Sequence, residues 1–186
     1  LLCGIKHIFK IIVELSAAVN YLHSHQILHG AICPENVIMK KSSEEYLIPQ
    51  LSGFQFARLL SIYSPGNTSC NCRNRVQNFA APELLESRSH SYPSDIWALG
   101  ATFYFIITGN FIQNPKNMEL DFESEFGPQF PESGRDLVRR MLSVDPNMRP
   151  TAANILRCEF YSEIKDQGLD QTVVQNSIHD FKFMFK

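Results

Sequence analysis

The chain has 186 residues, and at about 100–200 residues per domain one domain is the default. Hydrophobic residues make up 44%, with 14 Phe, enough for a real core and too many for a disordered tail. Lys plus Arg is 17 and Asp plus Glu is 19, so the net charge is 17 − 19 = −2, which excludes a strongly basic nucleic-acid surface. The most apolar stretch, Ile96 to Ile107, is shorter than the roughly 20 residues a bilayer requires. Neither nucleic acid nor membrane is therefore an expected partner.

Five Cys (Cys3, Cys33, Cys70, Cys72, Cys158) form no CxxC pair and no paired zinc spacing. Cys70-Asn71-Cys72 is too close for an easy bridge and is read as loop thiols. An odd count with no signal segment points to a reducing, intracellular compartment, cytoplasmic in the first instance. The chain opens Leu1-Leu2, which reads as a piece of something longer.

Ile8, Ile12, Leu15, Val19 and Leu22 recur every three or four residues, which predicts an amphipathic helix over roughly 5–24. The short patch Gln26-Ile27-Leu28 and a loop with Pro34 follow. Val37-Ile38-Met39 and Tyr46-Leu47-Ile48 flank a charged turn from Lys40 to Glu45 and predict a hairpin. Ser61 to Asn78 is rich in Ser, Asn, Gly and Pro and reads as a long exposed loop. Ser94 is the expected cap of a helix carrying Trp97 and ending near Thr108-Gly109. Gln113 to Pro131 is loop-like. Ser133-Gly134-Arg135-Asp136 suggests a capping box, and Pro150-Thr151 opens a last helix to about Cys158. The expected fold is α-rich.

Four motifs, in order, sharpen this. His29-Gly30-Ala31-Ile32-Cys33-Pro34-Glu35-Asn36 resembles the catalytic loop of eukaryotic protein kinases, His-Arg-Asp-x-Lys-Pro-x-Asn. Ala81-Pro82-Glu83 matches that family's Ala-Pro-Glu. Asp95-Ile96-Trp97-Ala98-Leu99-Gly100 is similar to its Asp-x-Trp-Ser-x-Gly, and Asp145-Pro146-Asn147-Met148-Arg149-Pro150 to its Asp-Pro-x-x-Arg-Pro. The resemblance implies a Ser/Thr-kinase-like C-terminal lobe of the α+β superfamily over 1–160, mainly helical with one or two short β-hairpins. A tail covers 161–186. The N-terminal lobe, with its Gly-rich loop and strand Lys, is expected to be absent from this chain.

The resemblance also locates departures. Phosphoryl transfer is mostly positioning and charge stabilisation. Ala31 stands where the family has its proton-accepting Asp, and Cys33 where it has a Lys. Leu51-Ser52-Gly53-Phe54-Gln55-Phe56-Ala57-Arg58 aligns with the Asp-Phe-Gly region, so Gly53 takes the place of the metal-binding Asp. Magnesium favours carboxylate oxygen, and glycine offers none. Val76 takes the place of the Thr that bonds the Asp and Lys, and Gly30 that of the phosphate-receiving Arg. Ser61, Ser64, Thr68 and Ser69 would then lack the usual phosphate receptor.

What is kept is architectural. The resemblance implies a buried Glu83–Arg149 ion pair, an Asp95 carboxylate accepting main-chain N–H groups near His29, and a His29–Phe54 stack. Asn36 and Ile38 are the remaining nucleotide-site candidates, Ile38 as the floor beneath an adenine. No cofactor is expected, neither ATP nor magnesium. Glu119, Asp121, Glu123 and Glu125 alternate with Leu120, Phe122 and Phe126, either as a solvated loop face or as an acidic partner strip. The resulting expectation is a non-enzyme, a catalytically inactive pseudokinase lobe that scaffolds or regulates a protein partner. The alternatives are a fragment of an atypical or weakly active Ser/Thr kinase, and a magnesium-independent ATP-binding regulator.

Overall fold

In the computed structural model the structure describes residues 4–41, 47–59, 76–87, 90–113, 115, 118–124 and 126–166. The first element, α1 (Ile5–Ser24), follows the apolar periodicity, and Ile8, Ile12, Leu15, Val19 and Leu22 are all buried. Its hydrophobic face packs on the second long helix, α3 (Tyr92–Thr108). That helix is apolar around most of its girth and is buried from Ser94 through Tyr104, as a central helix must be. Between them the chain forms β1 (Ile27–Leu28), β2 (Val37–Lys41), β3 (Leu47–Leu51), β4 (Arg58–Leu59) and a short helix α2 (Pro82–Ser87). After α3 come α4 (Glu132–Met141), α5 (Ala152–Ile155) and α6 (Glu159–Asp166).

The strands make two small antiparallel pairs. In the hairpin Val37 faces Leu51, Met39 faces Pro49 and Lys41 faces Leu47. The strands run three residues further than the apolar triplet Tyr46-Leu47-Ile48 suggests at the far end, because pairing to Val37 carries the chain on to Leu51. In the other pair Ile27 faces Leu59 and Leu28 faces Arg58. These strands have two residues each, too few for any periodicity to announce them.

Several helix boundaries differ from expectation. Ser91, not Ser94, caps α3. Its hydroxyl accepts from the Ser94 N–H while the Ser94 hydroxyl accepts from the Ser91 N–H, a reciprocal box. The helix stops at Gly109, as expected, with φ 75°. Ser133 forms no cap. Helix α4 begins two residues earlier, at Glu132 after Pro131, and the Ser133 hydroxyl donates instead to the Glu163 carboxylate on α6. Thr151 does cap a helix, but that helix ends at Ile155 and a separate α6 carries Phe160, Tyr161 and Ile164 into the core. Apolar packing thus continues beyond residue 160. The loop Ser61–Asn78 falls largely outside the described residues, as do Cys70, Cys72, Ser61, Ser64, Thr68 and Ser69. Its last residues form a 3₁₀ turn, Val76–Phe79.

Close packing of α3 on α4 needs Gly100. A Cβ there would sit 2.8 Å from the Met141 Cβ and 3.3 Å from the Leu142 side chain. Gly100→Ala is therefore expected to destabilise the fold by about 1–3 kcal/mol, although alanine is the better helix former. Urea denaturation of the variant, with Gly4→Ala as an uncrowded control, checks this.

Candidate functional site

The site is built on the loop that joins β1 to β2. Asp95, in the first turn of α3, is buried and accepts three hydrogen bonds. The main-chain N–H groups of His29 and Gly30 donate to it at 2.8 and 2.9 Å, and the His23 ring Nε2 at 3.1 Å. Burial pushes the Asp95 carboxyl up, but the His23 ring and the two amides outweigh it and hold the pKa below its usual value. His23 stacks on Tyr92, with ring centroids 4.5 Å apart. His23 is the partner that sequence reading missed. It sits 72 residues from Asp95, and no local pattern ties the two.

His29 is fully buried and bonded at both ring nitrogens. Its Nε2 donates to the Ser52 carbonyl at 2.8 Å, and its Nδ1 accepts from the Ala31 N–H at 3.2 Å. The ring meets Phe54 edge-on, with centroids 5.1 Å apart. This bonding fits the neutral imidazole, and burial lowers the His29 pKa despite the nearby Asp95.

Ala31 and Cys33 are both buried. Burial pushes the Cys33 thiol up to about 11, so it stays protonated and supplies no charge. Asn36 spends its amide within the loop, donating from Nδ2 to the Ala31 carbonyl at 2.6 Å. The Asn36 carbonyl in turn accepts from the Ser52 N–H at 2.7 Å and the Ser52 hydroxyl at 2.9 Å. These bonds fasten the end of β3 to the loop. Gly53 follows with φ 86°, the left-handed region that favours glycine. A Cβ at Gly53 would lie 2.5 Å from the Asn36 Cγ. The Asn36 amide therefore fills the space into which a side chain at position 53 would project.

Gly30 is similarly confined, with φ 72° and an imagined Cβ 3.2 Å from the Phe56 carbonyl. His90 lies against it, 3.5 Å away at Nδ1, and that nitrogen is buried with no hydrogen-bond partner among the described residues. Burial lowers the His90 pKa, and the Arg58 charge acts the same way. Ile38 lies on the hairpin and is 55% exposed. Of Val76 only the main chain is described, within the 3₁₀ turn.

Arg149 closes the lower part of the site. Its Nη1 donates to Glu83 Oε1 at 2.6 Å and its Nη2 to Oε2 at 2.8 Å, a bidentate fork. It also donates to the carbonyls of Ser143, Pro93 and Val144, and its guanidinium lies 4.9 Å over the Trp97 ring. Three segments far apart in sequence thus converge on one cation. Among the described residues no group of three or more His, Cys, Asp or Glu is arranged to hold a metal ion. No helix among them is long and apolar enough to cross a membrane.

Arg149→Ala is expected to cost about 3–5 kcal/mol, because it strands the Glu83 carboxylate. Chemical denaturation measures this, and Arg149→Lys should recover little, lacking the fork. A pH effect follows from the histidines. Burial holds the folded pKa values of His29 and His90 below the ordinary imidazole value of 6.5, so the unfolded chain takes up protons first as pH falls. Stability is then fully present above about pH 6.5 and falls as the medium is acidified towards the lowered folded values. Melting at about pH 7.5 and about pH 5.5 should show this loss, and His90→Phe should reduce it.

With this geometry in hand, comparison with known proteins is specific. The family model described as "Protein kinase domain" matches residues 3–161. The chain is 31% identical over 161 residues to 3-phosphoinositide-dependent protein kinase B of Dictyostelium discoideum, covering 82% of this chain and 17% of that protein. It is 28% identical over 171 residues to calcium/calmodulin-dependent protein kinase type 1B of Rattus norvegicus, covering 87% of this chain and 48% of that protein. It is 31% identical over 156 residues to Protein lin-2 of Caenorhabditis elegans, covering 79% of this chain and 16% of that protein. The chain spans less than half the length of each of these relatives. The expectation of a non-enzyme is corrected here: the matching family is the protein kinase domain, and two of these relatives are named as kinases.

Proposed function

The chain belongs to the protein kinase domain family, and from that premise we propose that it forms the helical lobe of a serine/threonine-kinase-like domain that acts on a protein partner as scaffold or allosteric regulator. The observation that carries this reading is the packing of Asn36 against Gly53. The amide occupies the volume next to position 53 and is already bonded to the Ala31 carbonyl. Magnesium wants several oxygen ligands, usually with carboxylate among them. One engaged neutral amide beside a glycine does not fit that donor set. The architecture, by contrast, is fully furnished: Asp95 holds the loop, and Arg149 holds Glu83. A lobe built this way keeps its surfaces in place for a partner. An intracellular setting belongs to the same proposal, supported by the free thiols Cys33 and Cys158.

A second reading has its own support in the kinase names of the relatives. It is a serine/threonine kinase that works with an altered site. The full-length protein separates the two. Thermal shift with ATP, with and without magnesium, reads binding by mass action. The scaffold reading predicts no magnesium-dependent shift, together with a partner's activity that changes on adding the protein. A magnesium-dependent shift with phosphate transfer lost in Asn36→Ala would instead establish the second reading.

A further inference from the structure

The turn between α4 and α5 holds apolar side chains outward. Arg149 donates to the carbonyls of Ser143 and Val144 at 2.8 and 3.2 Å, which fastens the start of the turn. The Asp145 carboxylate accepts from the Asn147 N–H at 2.9 Å, and the Asp145 carbonyl from the Met148 N–H at 3.1 Å. Thr151 then caps α5. The turn is thus fixed at both ends and across its middle. Within it Val144 is 45% exposed and Met148 is 69% exposed, the highest value for a large apolar side chain among the described residues. Single exposed hydrophobes are ordinary; here two are held out by one bonded turn, beside a cavity.

That cavity, of about 300 Å³, lies where α4, the turn and α5 meet, lined by Leu137, Arg140, Met148, Pro150 and Cys158 among others. It is at the small end of ligand-sized cavities, which suits one anchoring side chain. The charged residues that line it are both arginines, Arg140 and Arg149. Arg149 is matched by Glu83. Arg140 is exposed, donates from Nε to the Asp136 carbonyl at 3.4 Å, and forms no ion pair with another described residue. Across residues 137–159 the charges are Arg139, Arg140, Arg149 and Arg157 against Asp145 and Glu159. Arg139 is paired with Glu132 and Asp136, and the Asp145 carboxylate is spent on the turn. That leaves Arg140 and Arg157, both exposed, against Glu159, so the surroundings of the cavity are net positive.

We infer that this surface docks an acidic segment of a protein partner that carries a large apolar anchor. The anchor enters the cavity against Leu137 and Met148, and the carboxylates of the segment lie beside Arg140. A guanidinium fork matches a carboxylate with two parallel bonds. A turn already fixed by its own bonds costs little further ordering on binding. Residues 181–186 of this chain do not suit the place, since Phe-Lys-Phe-Met-Phe-Lys is apolar but basic. Nucleic acid suits it poorly too, because an apolar cavity with one exposed guanidinium in its lining offers few phosphate contacts. The kind of occupant rests on the proposed partner-binding role, while the surface itself stands on geometry.

The test is direct binding, measured by fluorescence anisotropy on the full-length protein. The probe is a labelled, acetylated peptide Glu-Asp-Phe-Glu-Glu-Leu-Asp. Saturable binding is expected, weakened by added salt and weakened about tenfold or more by Arg140→Glu. Met148→Ser should weaken it by a similar factor. Both side chains are exposed, so both variants are expected to fold, which circular dichroism checks. Cys158, a free and partly exposed thiol in the cavity lining, gives a readout that needs no variant. Saturating peptide should slow its alkylation by iodoacetamide, followed by mass spectrometry. The inference is overturned if a peptide with Lys for each acid binds equally, if neither variant weakens binding, if Cys158 is not protected, or if no peptide binds. An oligonucleotide of equal charge that binds as tightly overturns it too. So does peptide binding seen only once residues 167–186 are removed, or only once self-association is broken, which would make the tail or a second copy the occupant. A failed peptide assay leaves the partner's activity in the preceding experiment unaffected, so the two proposals fail separately.

Discussion

One buried carboxylate holds the centre of this lobe. Asp95 accepts the His29 and Gly30 amides and the His23 ring, and through them ties α1, the loop after β1 and α3 together. Burying an ionised carboxylate costs several kcal/mol, and only a full set of donors offsets that. Each hydrogen bond to a charged group returns about 1.5–3 kcal/mol. The geometry of the loop is therefore set from below, by α3, before any of its own side chains matter. Ala31 and Asn36 take their positions from this anchoring, since His29 accepts the Ala31 N–H and Asn36 donates back to the Ala31 carbonyl.

A second centre, Arg149, does the same work for the other end of the site. Its guanidinium satisfies Glu83, three main-chain carbonyls and the face of Trp97. The two centres share α3, which carries both Asp95 and Trp97. This helix is buried over most of its length and needs Gly100 to admit α4. The loops that leave this frame are held less densely. The stretch after α3 is pinned at Asp121, whose carbonyl accepts from the Tyr104 hydroxyl, and at Gly127, which backs onto Phe122.

The substituted loop residues fit their surroundings as they are. Ala31 and Cys33 are buried in the loop, and Gly53 permits the Asn36 amide to sit against the main chain. Their family pattern alone points to a non-enzyme, an expectation that the matching protein kinase family and its named kinases correct. Pattern identifies which residues changed. It does not by itself measure what the changed residues do.

Much of this was legible in the chain. The spacing of Ile8, Ile12, Leu15, Val19 and Leu22 determined α1, because one face of a helix has only that period. Gly109 ended α3, and the four motifs placed His29, Glu83, Asp95 and Arg149 in one lobe. What the tertiary structure alone decided were the contacts between distant segments and the ends of short elements. His23 reaches Asp95, two-residue strands pair β1 with β4, Ser133 turns from its own helix to Glu163, and the last helical stretch breaks in two at Ile155. Local periodicity reports which face of an element is buried. It carries no information on which remote donor will meet a buried acceptor, because that depends on how the assembled helices cross.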